Sequence, residues 1–227
     1  MLAGGALLGV WLAFQHVPEW YQPVEVPPAQ LQAVRDNLVQ TQNDFGERLA
    51  MSSAPFEVTI SQEQVNAWLA AREDIWPLSR EWLPPGVSEP FVRIEPGGVR
   101  VGATCQVGGV QSVVSALVAV AADDDSVDAR VLQIRSGSLP LPENWLRDQL
   151  ARIRPHGRLP REVGGLAVDP AGNSHAMASL ADVLTGISIP NEAVWWEPKR
   201  PFRVVGLRTQ SDTLVVTVKP LPYRHAR

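Results

Sequence analysis

The chain has 227 residues, 45% of them hydrophobic and 19% charged, with a formal net charge of −4 at pH 7. That balance excludes a disordered chain, and the length can bury a core without covalent staples. Lys and Arg form no block, which argues against nucleic acid as a partner. The single cysteine, Cys105, excludes an internal disulfide and a cysteine-based zinc site.

Residues 1–14 read MLAGGALLGVWLAF, and no charge appears before Glu19. A spanning helix needs roughly 20 apolar residues, so residues 1–17 are expected to be a membrane anchor truncated at its start. Leu7, Leu8, Val10, Trp11, Leu12 and Phe14 supply its apolar body. Trp11, Trp20 and Tyr21 suit a membrane–water interface, where amphipathic rings settle. A cleaved signal peptide and a buried core helix are the alternatives. The signal peptide lacks its basic n-region and its small-residue cleavage site. No Lys or Arg precedes the segment to set its orientation, and a body that follows one N-terminal span is expected on the extracytoplasmic, periplasmic side.

Residues 18–28 form a linker stiffened by Pro18, Pro23, Pro27 and Pro28. Residues 29–227 are expected to be one α+β domain. Its first helix carries Leu31, Val34, Leu38, Thr41, Phe45 and Leu49 on one stripe at a spacing near 3.6. Phe56, Val58 and Ile60 alternate with polar residues as a short strand. Ser61 and Gln64 make a capping box that opens a second helix with Val65, Trp68 and Leu69. From Phe91 to Ile134 the period becomes two. Val99, Val101, Ala103, Cys105 and Val107 form one run, residues 113–122 a second and residues 127–135 a third. Pro96-Gly97-Gly98 and Asp123-Asp124-Asp125 sit where hairpin turns belong. This predicts an antiparallel meander, with Cys105 as a small hydrophobe on a strand. A third helix opens at Pro142 and carries Trp145 and Leu146. A Gly- and Pro-rich loop spans residues 155–172, and two strands close the chain around Ser211-Asp212.

Tests for chemistry come out negative. His16, His156, His175 and His225 are scattered, with no pair at metal-ligand spacing. Asp123 to Asp125 lack the spaced oxygens and glycine of a calcium loop. There is no Gly-x-Ser-x-Gly elbow and no phosphate-binding loop. The residues therefore predict a non-enzyme with no metal and no cofactor. The tryptophans fit ordinary core packing, or an apolar groove for a hydrophobic ligand.

The stretch from Phe56 to Leu69, the turn Gly137-Ser-Leu-Pro-Leu-Pro142 and the late Ile189-Pro190-Asn191 resemble the YpmS-type single-pass bacterial envelope proteins of unknown function. More distantly they are similar to TULIP-like lipid-binding domains. That resemblance implies a curved antiparallel sheet packed against amphipathic helices, and a membrane-anchored domain binding a lipid or other hydrophobe. Trp68, Leu69, Trp145 and Leu146 are the candidate wall residues. The competing expectation is a structural or assembly subunit of a larger membrane complex. Its partners would be other membrane-protein subunits, met through the N-terminal helix, where Ala3, Gly4, Gly5 and Gly9 permit close backbone approach.

Overall fold

The computed structural model describes residues 9, 11–81, 83–107, 109–142, 162–163, 166–167, 186–195, 197 and 199–223. The protein is α+β, and its strands pair antiparallel throughout in two six-stranded sheets. Helix α1 spans Leu31–Met51, entered through a short 3-10 turn at Pro28–Gln30. Strand β1 (Phe56–Ser61) leads directly into α2 (Gln62–Ala70), followed by the short α3 (Arg72–Ile75). The meander is β2 (Val87–Glu95), β3 (Gly98–Val107), β4 (Val110–Ala122) and β5 (Ser126–Ser136). Short strands follow at β6 (Leu139–Pro140), β7 (Glu162–Val163), β8 (Leu166–Ala167), β9 (Ile187–Pro190) and β10 (Ala193–Trp195). Strands β11 (Pro201–Gln210) and β12 (Thr213–Pro220) close the chain.

The first sheet has the order β1-β12-β11-β10-β8-β7. Strand β1 pairs with the last strand, Phe56 opposite Val218 and Ile60 opposite Leu214. Helix α1 covers this sheet with the predicted stripe, for Leu38 and Leu49 are buried and Leu31, Val34, Thr41 and Phe45 half-buried. Leu49, Trp195, Phe202 and Val218 form its core, and the Phe45 ring meets Trp195 edge-on at 4.6 Å between centroids. Gly46 completes the fit. A Cβ there would stand 3.0 Å from the Trp195 indole nitrogen and 3.1 Å from the Glu197 carbonyl.

The second sheet has the order β2-β3-β4-β5-β6, and β9 joins β5. Both expected hairpin turns are present, and the capping box at Ser61 is complete: Ser61 accepts from the Gln64 amide and Gln64 accepts from the Ser61 amide. At Asp123 the carboxylate accepts backbone N–H bonds from Asp125 and Ser126 at 2.8 and 2.7 Å, which hold it below the usual carboxylate range.

Two asparagines join the parts, and each copies a strand neighbour. Asn66 on α2 donates to the Val92 carbonyl at 2.8 Å and accepts from the Val92 amide at 2.7 Å. Gln62 accepts from the Ile94 amide at 2.9 Å, so α2 saturates an edge of β2 that would otherwise invite another chain. Asn191 does the same for Val204 of β11, at 2.7 and 2.8 Å, and also bonds the Asp123 carbonyl. It stands where the chain leaves the second sheet after β9 and enters the first at β10.

Among the described residues no helix is long and apolar enough to cross a membrane. The N-terminal transmembrane helix expected over residues 1–17 is therefore not found among them. Residues 9 and 11–15 are helical, and residue 16 ends the helix. Leu7, Leu8 and Val10 lie outside the described residues, as do Trp145, Leu146 and the expected third helix.

Candidate functional site

Pairing across the second sheet decides which side chains share a face, because directly opposed residues point the same way. One row runs Val92, Val101, Ala116, Ile134, and the next runs Ile94, Val99, Val118, Val131. Val120 with Ala129, then Ala122 with Val127 and Ile189, continue it. Every member is apolar. Ile94 and Ile134 are buried, but Val101, Val120 and Ile189 are 41%, 38% and 41% exposed. An apolar face this continuous and this incompletely covered is the main candidate for contact with a hydrophobe or a partner.

The opposite face carries Arg93, Arg100, Gln133, Arg135, Gly102 and Ser115, and it is crossed by the N-terminal segment. Trp20 and Tyr21 pack there against Phe91 and Val113. Gly102 is needed for that approach, since a Cβ would come within 2.6 Å of the Trp20 ring. The Tyr21 hydroxyl donates to the Glu89 carbonyl at 2.6 Å and lies 2.9 Å from the Thr104 hydroxyl, which donates to the Glu89 carboxylate at 2.8 Å. Burial pushes the Tyr21 phenol up. Tyr21, expected in an interfacial aromatic girdle, thus has the environment of a core side chain. The reason is its reach: one ring and one hydroxyl tie the segment to β2 and β3 together.

The end of the N-terminal helical turn is seated just as firmly. The Phe14 carbonyl accepts from the Ser112 hydroxyl at 2.7 Å, and Ser112 is linked to Ser136 at 2.7 Å. The Ala13 carbonyl accepts from the Ser138 amide at 2.9 Å. Gly137, at φ +56°, leaves the space, because a Cβ would meet the carbonyls of Ala13, Phe14 and His16. These bonds satisfy carbonyls that a helix end leaves without intrahelical partners.

Between this strap and the start of β2 lies an open cleft of about 1030 Å³, lined by Val17, Tyr21, Val24, Arg72, Glu89 and Thr104 among others. Glu89 has φ +53°, a left-handed conformation costly for a side chain with a Cβ, at a bulge in β2. The Tyr21 and Thr104 bonds hold it there. Its chemistry is that of a joint.

Of the four expected wall residues, Trp68 and Leu69 are described, both half-buried on α2. They follow Asn66, whose side chain binds the Val92 end of the apolar rows. The Trp68 indole N–H is buried without a hydrogen-bond partner among the described residues. Sequence reasoning missed the face itself. It identified the alternating run in β3 and expected an apolar groove, but named only helix residues, and none of the sheet, as its walls. Cys105 is a free thiol raised by burial, consistent with a small hydrophobe on a strand. Among the described residues no group of His, Cys, Asp and Glu could hold a metal ion.

The fold and these surfaces define a two-sheet α+β domain whose N-terminal segment is strapped across one sheet. No known protein family, curated protein or solved structure matches the chain.

Proposed function

We propose that the protein is a membrane-anchored, non-catalytic extracytoplasmic domain that binds a lipid or other hydrophobe on the apolar face of the β2–β5 sheet. The observation that carries this reading is the half-exposed run around Val101, Val120 and Ile189. Completing the burial of one such valine stabilises a complex by about 1 kcal/mol, so a ligand spanning several rows binds usefully. The resemblance to YpmS-type and TULIP-like domains points the same way, and residues 1–17 would be the anchor. The motifs behind that resemblance include Asn66, Gly137 and Asn191, each of which has a structural task in this fold.

A second reading, an assembly subunit of a membrane complex, draws on the rigid seat of residues 13–16 against Ser112, Gly137 and Ser138. A seat of that kind holds the domain at a fixed attitude to whatever the N-terminal helix meets. Native mass spectrometry of the full chain, extracted with its membrane in mild detergent, separates the two. A lipid-sized mass that is lost in Val101→Asp/Val120→Asp supports the hydrophobe. An empty body with stoichiometric protein partners overturns it in favour of the subunit.

A further inference from the structure

The polar face of the second sheet concentrates positive charge beside the strap. Arg93 and Arg100 are direct cross-strand partners, and a like-charged pair in that position is destabilising unless something offsets it. Glu95 offsets part of it. Its carboxylate accepts from Arg100 through Nε at 2.7 Å and Nη2 at 3.0 Å, and the Arg100 guanidinium lies 5.7 Å from the Trp20 ring centre. Arg100, Arg93 and Arg135 all hold the Glu95 carboxyl below its usual range, Arg100 most strongly. The fork of Arg100 is thereby used. Arg93 reaches Glu95 only at 3.9 Å, and Arg135 has no hydrogen bond to any described group. Two guanidinium groups are left with donors to spare over a neutralised Arg100–Glu95 floor.

These groups line a cleft of about 480 Å³ together with His16, Glu19, Trp20 and Ser138. Among the described residues Glu19 is the only other carboxylate on its wall, so the arginines leave it net positive. A guanidinium fork matches the oxygens of a phosphate, and a pair of forks holds one from two sides. We propose that this cleft, between Arg93 and Arg135, is a binding site for a phosphate oxyanion. The cleft begins at residue 16, directly after the helix that ends at residue 15. If residues 1–17 are the anchor proposed above, it lies at headgroup height and the phosphate is that of a phospholipid. The anion chemistry itself does not depend on that reading.

The test uses the full chain in neutral detergent micelles, with binding followed on the Arg100 Nε–Hε and the Gly137 and Ser138 backbone-amide NMR resonances, which line the same cleft and are present in every variant. Inorganic phosphate and short-chain phosphatidylglycerol are titrated separately, into the native protein and into Arg93→Gln/Arg135→Gln. Thermal unfolding of the variant checks that it folds. Saturable shifts that weaken at least tenfold in the variant support the site. A response to phosphatidylglycerol alone identifies a lipid headgroup, and an equal or stronger response to inorganic phosphate identifies a free anion. Absence of saturation with both ligands, or equal affinity in the folded variant, overturns the proposal. Val101→Asp/Val120→Asp should leave these shifts intact, which separates failure of this site from failure of the apolar face.

Discussion

Replacing Asn66 by Ala tests whether side-chain amides hold α2 against the second sheet. Asn66 is 3% exposed and makes both of its Val92 bonds at 2.7–2.8 Å. Truncation removes two hydrogen bonds and leaves the Val92 amide and carbonyl without partners in a partly buried place. At about 1–2 kcal/mol for each group stranded, the expected loss is about 2–4 kcal/mol. Urea unfolding followed by circular dichroism reads it as a midpoint lowered by about 0.7–2 M at unchanged slope, for a slope of about 2–3 kcal/mol/M. Asn66→Asp separates bonding from volume. It keeps the acceptor for the Val92 amide but sets a carboxylate against the Val92 carbonyl, so it should be the worse variant at neutral pH. Protonation restores a donor, so the deficit should shrink on acidification. Loss of less than about 0.5 kcal/mol in Asn66→Ala, or equal behaviour of the two variants at every pH, would refute the account of the β2 edge.

Three further expectations come from the strap and the arginine cluster. Tyr21→Phe removes the bonds to Glu89 and Thr104 while keeping the ring against Phe91; it should cost about 1–2 kcal/mol and release amide protection at Glu89, read by hydrogen exchange. Gly137→Ala combines a positive φ with a Cβ placed 2.6 Å from the Phe14 carbonyl, so the N-terminal segment should lift off and become cleavable by protease at residues 15–19, while α1 and the first sheet stay folded. The Glu95 carboxyl is lowered in the folded protein, so its contribution is present above its unfolded value of about 4.3 and is lost as pH falls through the lower folded one. Glu95→Gln should therefore flatten the acid limb of a stability-versus-pH curve, and an unchanged limb would refute the pairing with Arg100.

Three small or polar residues have tasks that are architectural. Asn66 closes an edge, Gly137 makes room for three carbonyls and Asn191 binds two sheets where the chain crosses. Such residues fix joints of the fold and by themselves assign no ligand.

Local order was legible in the residues alone. The stripe of α1, the Ser61 capping box, the turns at Gly97 and Asp123 and the strand periods all depend on neighbours a few positions apart, and backbone geometry turns such spacing directly into a face or a turn. Tertiary structure decided what covers each face. In β3 the valine-bearing side is the more apolar, yet Val101 is 41% exposed while Gly102 and Thr104 on the other side are buried under Trp20 and Tyr21. Alternation marks two faces without saying which will be covered, and here the cover comes from Tyr21, 83 residues before Thr104. The division into two sheets was hidden for the same reason, since β1 pairs with β12 across most of the chain. Pairing at that distance is chosen by the summed fit of whole surfaces, to which no short window of residues has access.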